Sequence, residues 1–220
     1  MMGLAEIFRR PDRAHAELCK LPVDEACYVV IDTELTGLDS KRDSIVSLGA
    51  IKMTGGRIDV GNTFYRVVKP ETDFSSESVM VHGITPSDVA ELPSIDSVMD
   101  EVLAFCTGCV VIGHFVSLDL MFLNKELKRL SHGAFSNPIV DTYRIHDWIR
   151  HQEGDFSRHF GENGDKDLFS LAKKYGIQVT GAHNALMDAF VTAQLFQRFL
   201  SLLPKLGVKT VKDLVKTGRP

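Results

Sequence analysis

A chain of 220 residues that is 44% apolar and 25% charged, with mean hydropathy at zero, has the length and apolar content of one ordinary globular domain. That composition excludes a disordered chain and a small disulfide scaffold, and no run approaches the ~18 consecutive apolar residues of a membrane span. Twenty-five basic against 29 acidic side chains give a net charge of −4, which excludes a global basic field able to grip duplex DNA nonspecifically. Any nucleic-acid site must then be local and carry its own cations.

Residues 1–25 read as a polar, helical N-terminal extension, 26–204 as the main domain and 205–220 as a C-terminal tail. The opening MMGLAEIFRRPDRAHAELCK has no apolar stretch behind its charges, so a cytoplasmic protein without membrane association is expected. Cys27–Ile31, Ile45–Met53 and Arg57–Val68 are rich in β-branched residues and read as three strands, the last two joined by a hairpin at Thr54-Gly55-Gly56. Pro86 after Thr85, and Ser94 before an apolar-periodic run to Phe105, mark helix starts. Cys109–Ile112 is a short apolar run bounded by glycines, as for a buried parallel strand, and Ser117–Leu130 follows with helical periodicity. Pro138–Val140 reads as a fifth strand. Helices are expected at Thr142–Arg150, at Asp167–Lys174 with Gly176 as its stop, and from Asn184 to about Leu203, with a surface loop at His151–Lys166. A three-strand meander followed by strand and helix alternation is an α/β domain: a mixed five-stranded sheet with helices on both faces.

Four cysteines, Cys19, Cys27, Cys106 and Cys109, are few for this length, and a cytoplasmic setting keeps them reduced. Cys106-Thr-Gly-Cys109 lacks two further zinc ligands at knuckle spacing, so it reads as a helix end and turn into the next strand.

Five residues carry chemistry. Asp32 and Glu34 lie two apart at the end of the first strand, so both carboxylates aim at one spot on the carboxyl edge of the sheet, where α/β folds bind ligands. Like charges that close call for a cation between them. Asp119 sits in the first turn of its helix, favoured there by the helix dipole, yet it also heads a stripe with Phe122, Leu123 and Leu130 that should face the sheet. Asp188 falls within an apolar arc with Val191, Leu195 and Phe199, opposite Gln194, Gln197, Arg198 and Ser201. Burying it unpaired costs several kcal/mol, no Lys or Arg stands in the neighbouring turns, and a metal is therefore favoured. His183 precedes that helix by one residue, where it can stand beside the site without being buried.

Asp32-Thr33-Glu34, Gly113-His114-Phe115-Val116-Ser117-Leu118-Asp119 and His183-Asn184-Ala185-Leu186-Met187-Asp188 together resemble, in order, the three motifs of the DEDDh branch of DnaQ-like 3′-to-5′ exonucleases. That group contains the proofreading epsilon subunit of bacterial DNA polymerase III. Val81-His82-Gly83-Ile84-Thr85 and Val140-Asp141-Thr142 also resemble family segments, and the likeness runs from about Cys27 to Leu203. The family usually has Thr where Leu35 stands, Asn where Phe115 stands and Phe where Leu118 stands; none is a metal ligand, but these positions border the terminal nucleotides.

The resemblance implies a ribonuclease H-like fold and two Mg2+ or Mn2+ ions held by Asp32, Glu34 and Asp188, with Asp119 assisting through water. It makes His183 the general base and places Leu35, Thr36, Leu38, His82 and Phe115 against the substrate. Phe115 can stack on a base as Asn cannot. The implied partners are nucleic-acid 3′ ends, DNA or RNA with DNA favoured, and a polymerase or another replication or repair protein. Two other readings share these residues: an exoribonuclease acting on short RNA or tRNA ends, and a catalytically inactive nucleic-acid-binding module, which metal-dependent nucleotide release would separate from an enzyme.

Overall fold

A computed structural model describes residues 11–154, 166–179 and 183–220. Five strands, β1 (Cys27–Leu35), β2 (Ile45–Thr54), β3 (Arg57–Val67), β4 (Val110–Gly113) and β5 (Ile139–Asp141), form one sheet in the order β3-β2-β1-β4-β5. The meander β1-β2-β3 is antiparallel, whereas β4 and β5 join it in parallel. The mixed five-stranded sheet expected from the alternation is thus present.

Alternation along each strand divides the core in two. Tyr28 and Val30 of β1 point to the side covered by α6 (Thr142–Gln152), α7 (Leu168–Lys174), α8 (Ala185–Leu202) and α9 (Val211–Thr217). Val29 and Ile31 point to the other, covered by α4 (Met99–Cys106) and α5 (Ser117–Arg129). The stripe of α5 turns Phe122 and Leu123 inward as expected, and the arc of α8 buries Val191, Leu195 and Phe199.

Two features of this packing position the site. β1 pairs with β4 only through Tyr28–Val30, so β1 runs on past the end of its parallel neighbour and carries residues 32–35 beyond it. On the other flank Gly49 of β2 pairs with Asp32. A Cβ at Gly49 would lie 2.2 Å from the backbone of Ala185 and Leu186, so the missing side chain lets the first turn of α8 press onto the sheet.

Other elements differ from expectation. The run from Ser94 divides into a 3₁₀ turn, Ile95–Ser97, and α4. Two short helices were not foreseen: α2 (Ser76–His82), none of whose residues is buried, and α9, whose Val211 and Leu214 enter the core, so that much of the supposed tail packs on the domain. α1 (Pro11–Leu18) and α3 (Pro86–Val89) complete the described helices. Residues 1–10 of the expected extension, and 155–165 of the expected loop, lie outside the described residues. Among the described residues no helix is long and apolar enough to cross a membrane.

Cysteine usage also needs correction. Cys106 does end a helix and Cys109 does lead into a strand, but Cys27 and Cys109 are joined as a disulfide. The Tyr28–Val110 register of the parallel strands sets the preceding residues side by side, with Cα atoms 4.6 Å apart. Cys106, deep in the α4 core, stays a thiol whose pKa burial pushes up to about 12.

Candidate active site

Asp32 and Glu34 extend from the same face of β1, the face that carries α8, and Asp188 projects from the first turn of α8 toward them. Carboxylate oxygens of these three residues lie within 4.8 Å of one another. The first turn of α8 is fixed by Asn184, whose side-chain oxygen accepts from the Leu186 and Met187 N–H groups while its amide donates to the Tyr65 hydroxyl. Seating α8 against Gly49 is what brings Asp188 into range.

Asp119 arrives from the opposite face. Strand parity turns Thr33 away from Asp32 and Glu34 and toward α5, and its hydroxyl donates to Asp119 Oδ1 at 2.6 Å. Asp119 therefore stands beside the trio rather than within it, reaching round the open edge beyond β4 and still raising the pKa values of Asp32 and Glu34.

The electrostatics follow from this crowding. Burial, then the charges of Asp119, Glu34 and Asp188, push the Asp32 carboxyl well above the ordinary range. Burial first, then Asp188 and Asp119, lift Glu34 to about 7. Burial lifts Asp119 to about 7 against the Thr33 hydrogen bond, and lifts Asp188 to about 6 against the charge and backbone of His183. Among the described residues, His183 is the only basic group whose charge acts on Asp188, and none acts on the other three. Asp188 Oδ1 is buried and, among the described residues, has no hydrogen-bond partner. A hard-oxygen donor set that is crowded, costly to ionise without a counter-charge and holding an unpartnered oxygen fits a divalent cation, which would displace the retained protons.

His183 is exposed, in left-handed backbone at φ 65, with its ring edge-on to Phe169 at 5.2 Å. It stands one residue before the Asn184 cap, at the rim of the carboxylate site. His114, which has the same spacing to an Asp, is differently placed: Nδ1 bonds the Thr142 hydroxyl at 2.9 Å and Nε2 the Lys166 carbonyl at 2.8 Å. Burial lowers its pKa, so it is a neutral ring tied at both nitrogens.

The residues expected to meet substrate divide. Leu38 (74% exposed) and Phe115 (42% exposed) are open to solvent. Phe115 adopts φ 52 and lies against Tyr143, ring centroids 4.8 Å apart. Leu35 is instead buried in the α4–α5 core, where strand alternation turns it away from the carboxylates. Thr36 is wholly buried: its N–H donates to Ser44, its carbonyl accepts from Ser75, and its hydroxyl lies among Asp43, Ser44 and Thr72, so it orders the turn. His82 is half-buried against Phe74, its Nδ1 accepting from the Ile84 N–H.

Three residues at the site have roles that the sequence did not assign, although Thr33 and Asp141 lie within the segments that resemble the family. Thr33 anchors Asp119. Asp141 accepts from the Phe115 and Tyr143 N–H groups and so fixes the Phe115 turn, and Tyr143 backs the Phe115 ring. An Asp closing a short strand before a helix is a readable N-cap signal, but its bond to Phe115 is not local.

A mixed five-stranded sheet with a carboxylate cluster where its central strand outruns β4 defines a class, the ribonuclease H-like exonuclease fold. Escherichia coli exonuclease I with a dT13 oligonucleotide superposes at TM-score 0.70 and 18% identity over 83% of this chain and 43% of that one. Exonuclease X in complex with 5′ overhanging duplex DNA gives 0.62 and 21% over 87% and 99%. The RNase_T exonuclease family model matches residues 29–196, and the chain belongs to this exonuclease family. DNA polymerase III PolC-type of Thermotoga maritima is 30% identical over 192 residues, 87% of this chain and 13% of the relative. That of Staphylococcus haemolyticus is 31% identical over 190 residues, 86% and 12%, so the chain spans about an eighth of the curated relatives it matches.

Proposed function

We propose that this chain is a divalent-metal-dependent 3′-to-5′ exonuclease that hydrolyses nucleic acid, DNA in preference, to nucleoside 5′-monophosphates. The observation that carries the reading is the convergence of Asp32, Glu34 and Asp188 within 4.8 Å, with Asp119 beside them and, among the described residues, no Lys or Arg to neutralise them. Asp32, Glu34 and Asp188 hold two Mg2+ or Mn2+ ions, with Asp119, set by Thr33, assisting. When bound, such ions lower the pKa of a water and stabilise charge on the scissile phosphate and the departing 3′ oxygen.

The protein supplies the rest. His183, exposed at the rim of the site with its ring edge-on to Phe169, takes the proton of the attacking water. Leu38 and the Phe115–Tyr143 pair meet the terminal bases, Phe115 by stacking. Asp141 and His114 hold the Gly113–Phe115 turn in place without touching substrate. The preference for DNA is supported by the names of the relatives and by the oligonucleotides bound to the structural neighbours, and the same names make a replicative polymerase the candidate partner.

Labelled DNA and RNA oligomers, single- and double-stranded, incubated with Mg2+ or Mn2+ and resolved by length are the test. Stepwise loss of 5′-monophosphates from the 3′ end, abolished by EDTA, is expected. Products ending in 3′-phosphates, or hydrolysis indifferent to EDTA, would refute the proposal.

A further inference from the structure

Beyond Asp119, α5 borders a shallow, open cleft of about 570 Å³, lined by Ser40, Lys41, Lys125, Lys128 and Arg129. No carboxylate lines it, although the chain as a whole carries a net charge of −4. Its cations are unequally committed. Arg129 is spent on Asp96, Glu126 and Glu71. Lys125 donates to the Asp43 carbonyl at 2.8 Å and lies 3.6 Å from the buried carboxylate of Glu126. Lys41 and Lys128 are exposed and, among the described residues, form no ion pair. The cleft therefore offers two uncommitted ammonium groups and the edge of a third.

Both of its walls start at the carboxylate site. Lys125, Lys128 and Arg129 follow Asp119 by six to ten residues on one helix, about 9–15 Å along the axis. Ser40 and Lys41 lie on the loop that leaves β1 after Glu34, Leu35 and Thr36. Asp43 shapes that loop by accepting from the Asp39 N–H at 2.8 Å, and its carbonyl ties the loop to Lys125. The cleft therefore lies a few nucleotides, at most, from the carboxylates along a bound strand.

We propose that this cleft is an upstream phosphate subsite, in which Lys41 and Lys128, assisted by Lys125, seat backbone phosphates of the substrate away from the reacting end. The inference rests on the nuclease reading for the substrate's class and deepens it: the cleft acts on affinity and register and takes no part in bond cleavage.

The double variant Lys41→Gln/Lys128→Gln tests it, with Kd read by fluorescence anisotropy in Ca2+ and turnover read in Mg2+. For a single-stranded oligomer of about 12 nucleotides, Kd and KM should rise on the order of tenfold, and the slope of log affinity against log salt should shrink by about 1.4, for two phosphate contacts. The kcat should hold, and turnover of a dinucleotide, too short to reach the cleft, should match wild type. An effect confined to duplexes with a recessed 3′ end would assign the phosphates to the complementary strand. Unchanged Kd and slope on every long substrate, or equal losses on the oligomer and the dinucleotide, would overturn the proposal. Cleavage intact with binding unchanged refutes the cleft alone. Binding lost in a protein whose wild type cleaves nothing refutes the exonuclease reading and leaves the cleft standing.

Discussion

Replacing Asp188 by Asn keeps the shape of the side chain and removes one charge from the cluster. The carboxyl of Asp188 is lifted from 3.8 to about 6, roughly two pH units or about 3 kcal/mol of strain in its ionised form, which solvent screening at the cleft reduces to about 2 kcal/mol. A folded-state pKa raised above the unfolded value means that the folded protein binds more protons between the two, so stability falls as pH climbs from about 4 through about 6. Asp188 also helps to raise Glu34, which extends the penalty toward pH 7. In EDTA at about pH 8, Asp188→Asn should therefore melt about 4–8 °C above wild type, the difference closing below about pH 4. Adding Mg2+ should stabilise wild type and leave the variant nearly unmoved, and nuclease activity should be lost. Differential scanning calorimetry across pH, with and without Mg2+, reads all of this. A variant less stable than wild type in EDTA at about pH 8 would refute the reasoning, because it would reveal a native partner for Asp188 that the unbonded Oδ1 does not have.

His183→Ala should lower kcat by roughly 10²- to 10⁴-fold while calorimetric Mg2+ affinity holds, whereas His114→Ala, which breaks the Thr142 and Lys166 bonds, should mainly lower the melting temperature. The opposite pattern would remove His183 as the base. Gly49→Ala must lift α8 from the sheet and should cost about 1–3 kcal/mol in urea unfolding and weaken Mg2+ binding; metal affinity left at the wild-type value would show that Asp188 is positioned by something else. Phe115→Asn should cost about 1–3 kcal/mol of single-strand affinity through lost stacking, read as a higher KM, and an unchanged KM would show that the ring does not meet a base.

The parts of this protein that were legible in its sequence are those written in local pattern. β-branched runs and the Gly55-Gly56 turn announce the meander, and helical spacing exposes Asp188 as a carboxylate inside an apolar arc. What was not legible depends on pairings between distant segments. The hydrogen bond between Thr33 and Asp119 spans 86 positions, and it explains why one of the four carboxylates stands apart from the others. The bond between Cys27 and Cys109 requires β1 and β4 to be neighbours, which no local pattern states. Thr36 follows the first motif, but its hydroxyl is engaged by Asp43, Ser44 and Thr72, pairings that no local pattern states. α2 escaped because a helix with no buried residue carries no apolar stripe, whereas α9 could have been found: Thr210 and Asp213 form a capping box, a four-residue signal.

The way the backbone enters and leaves the sheet has its own consequence. Residues 19–23 and 209–212 run side by side, with Val23 donating to Lys209, Val211 to Leu21 and Lys212 to Cys19, and with Pro22 bridged to Thr210. The segment that leads into β1 is thereby clasped by the segment that follows α8, and α9 carries the backbone on from that clasp to β5, where the Asp141 N–H donates to the Gly218 carbonyl. The last helix acts as a strap: it ties the strand that bears Asp32 and Glu34 to the strand that ends at Asp141, so cutting it away would loosen two sides of the catalytic edge at once.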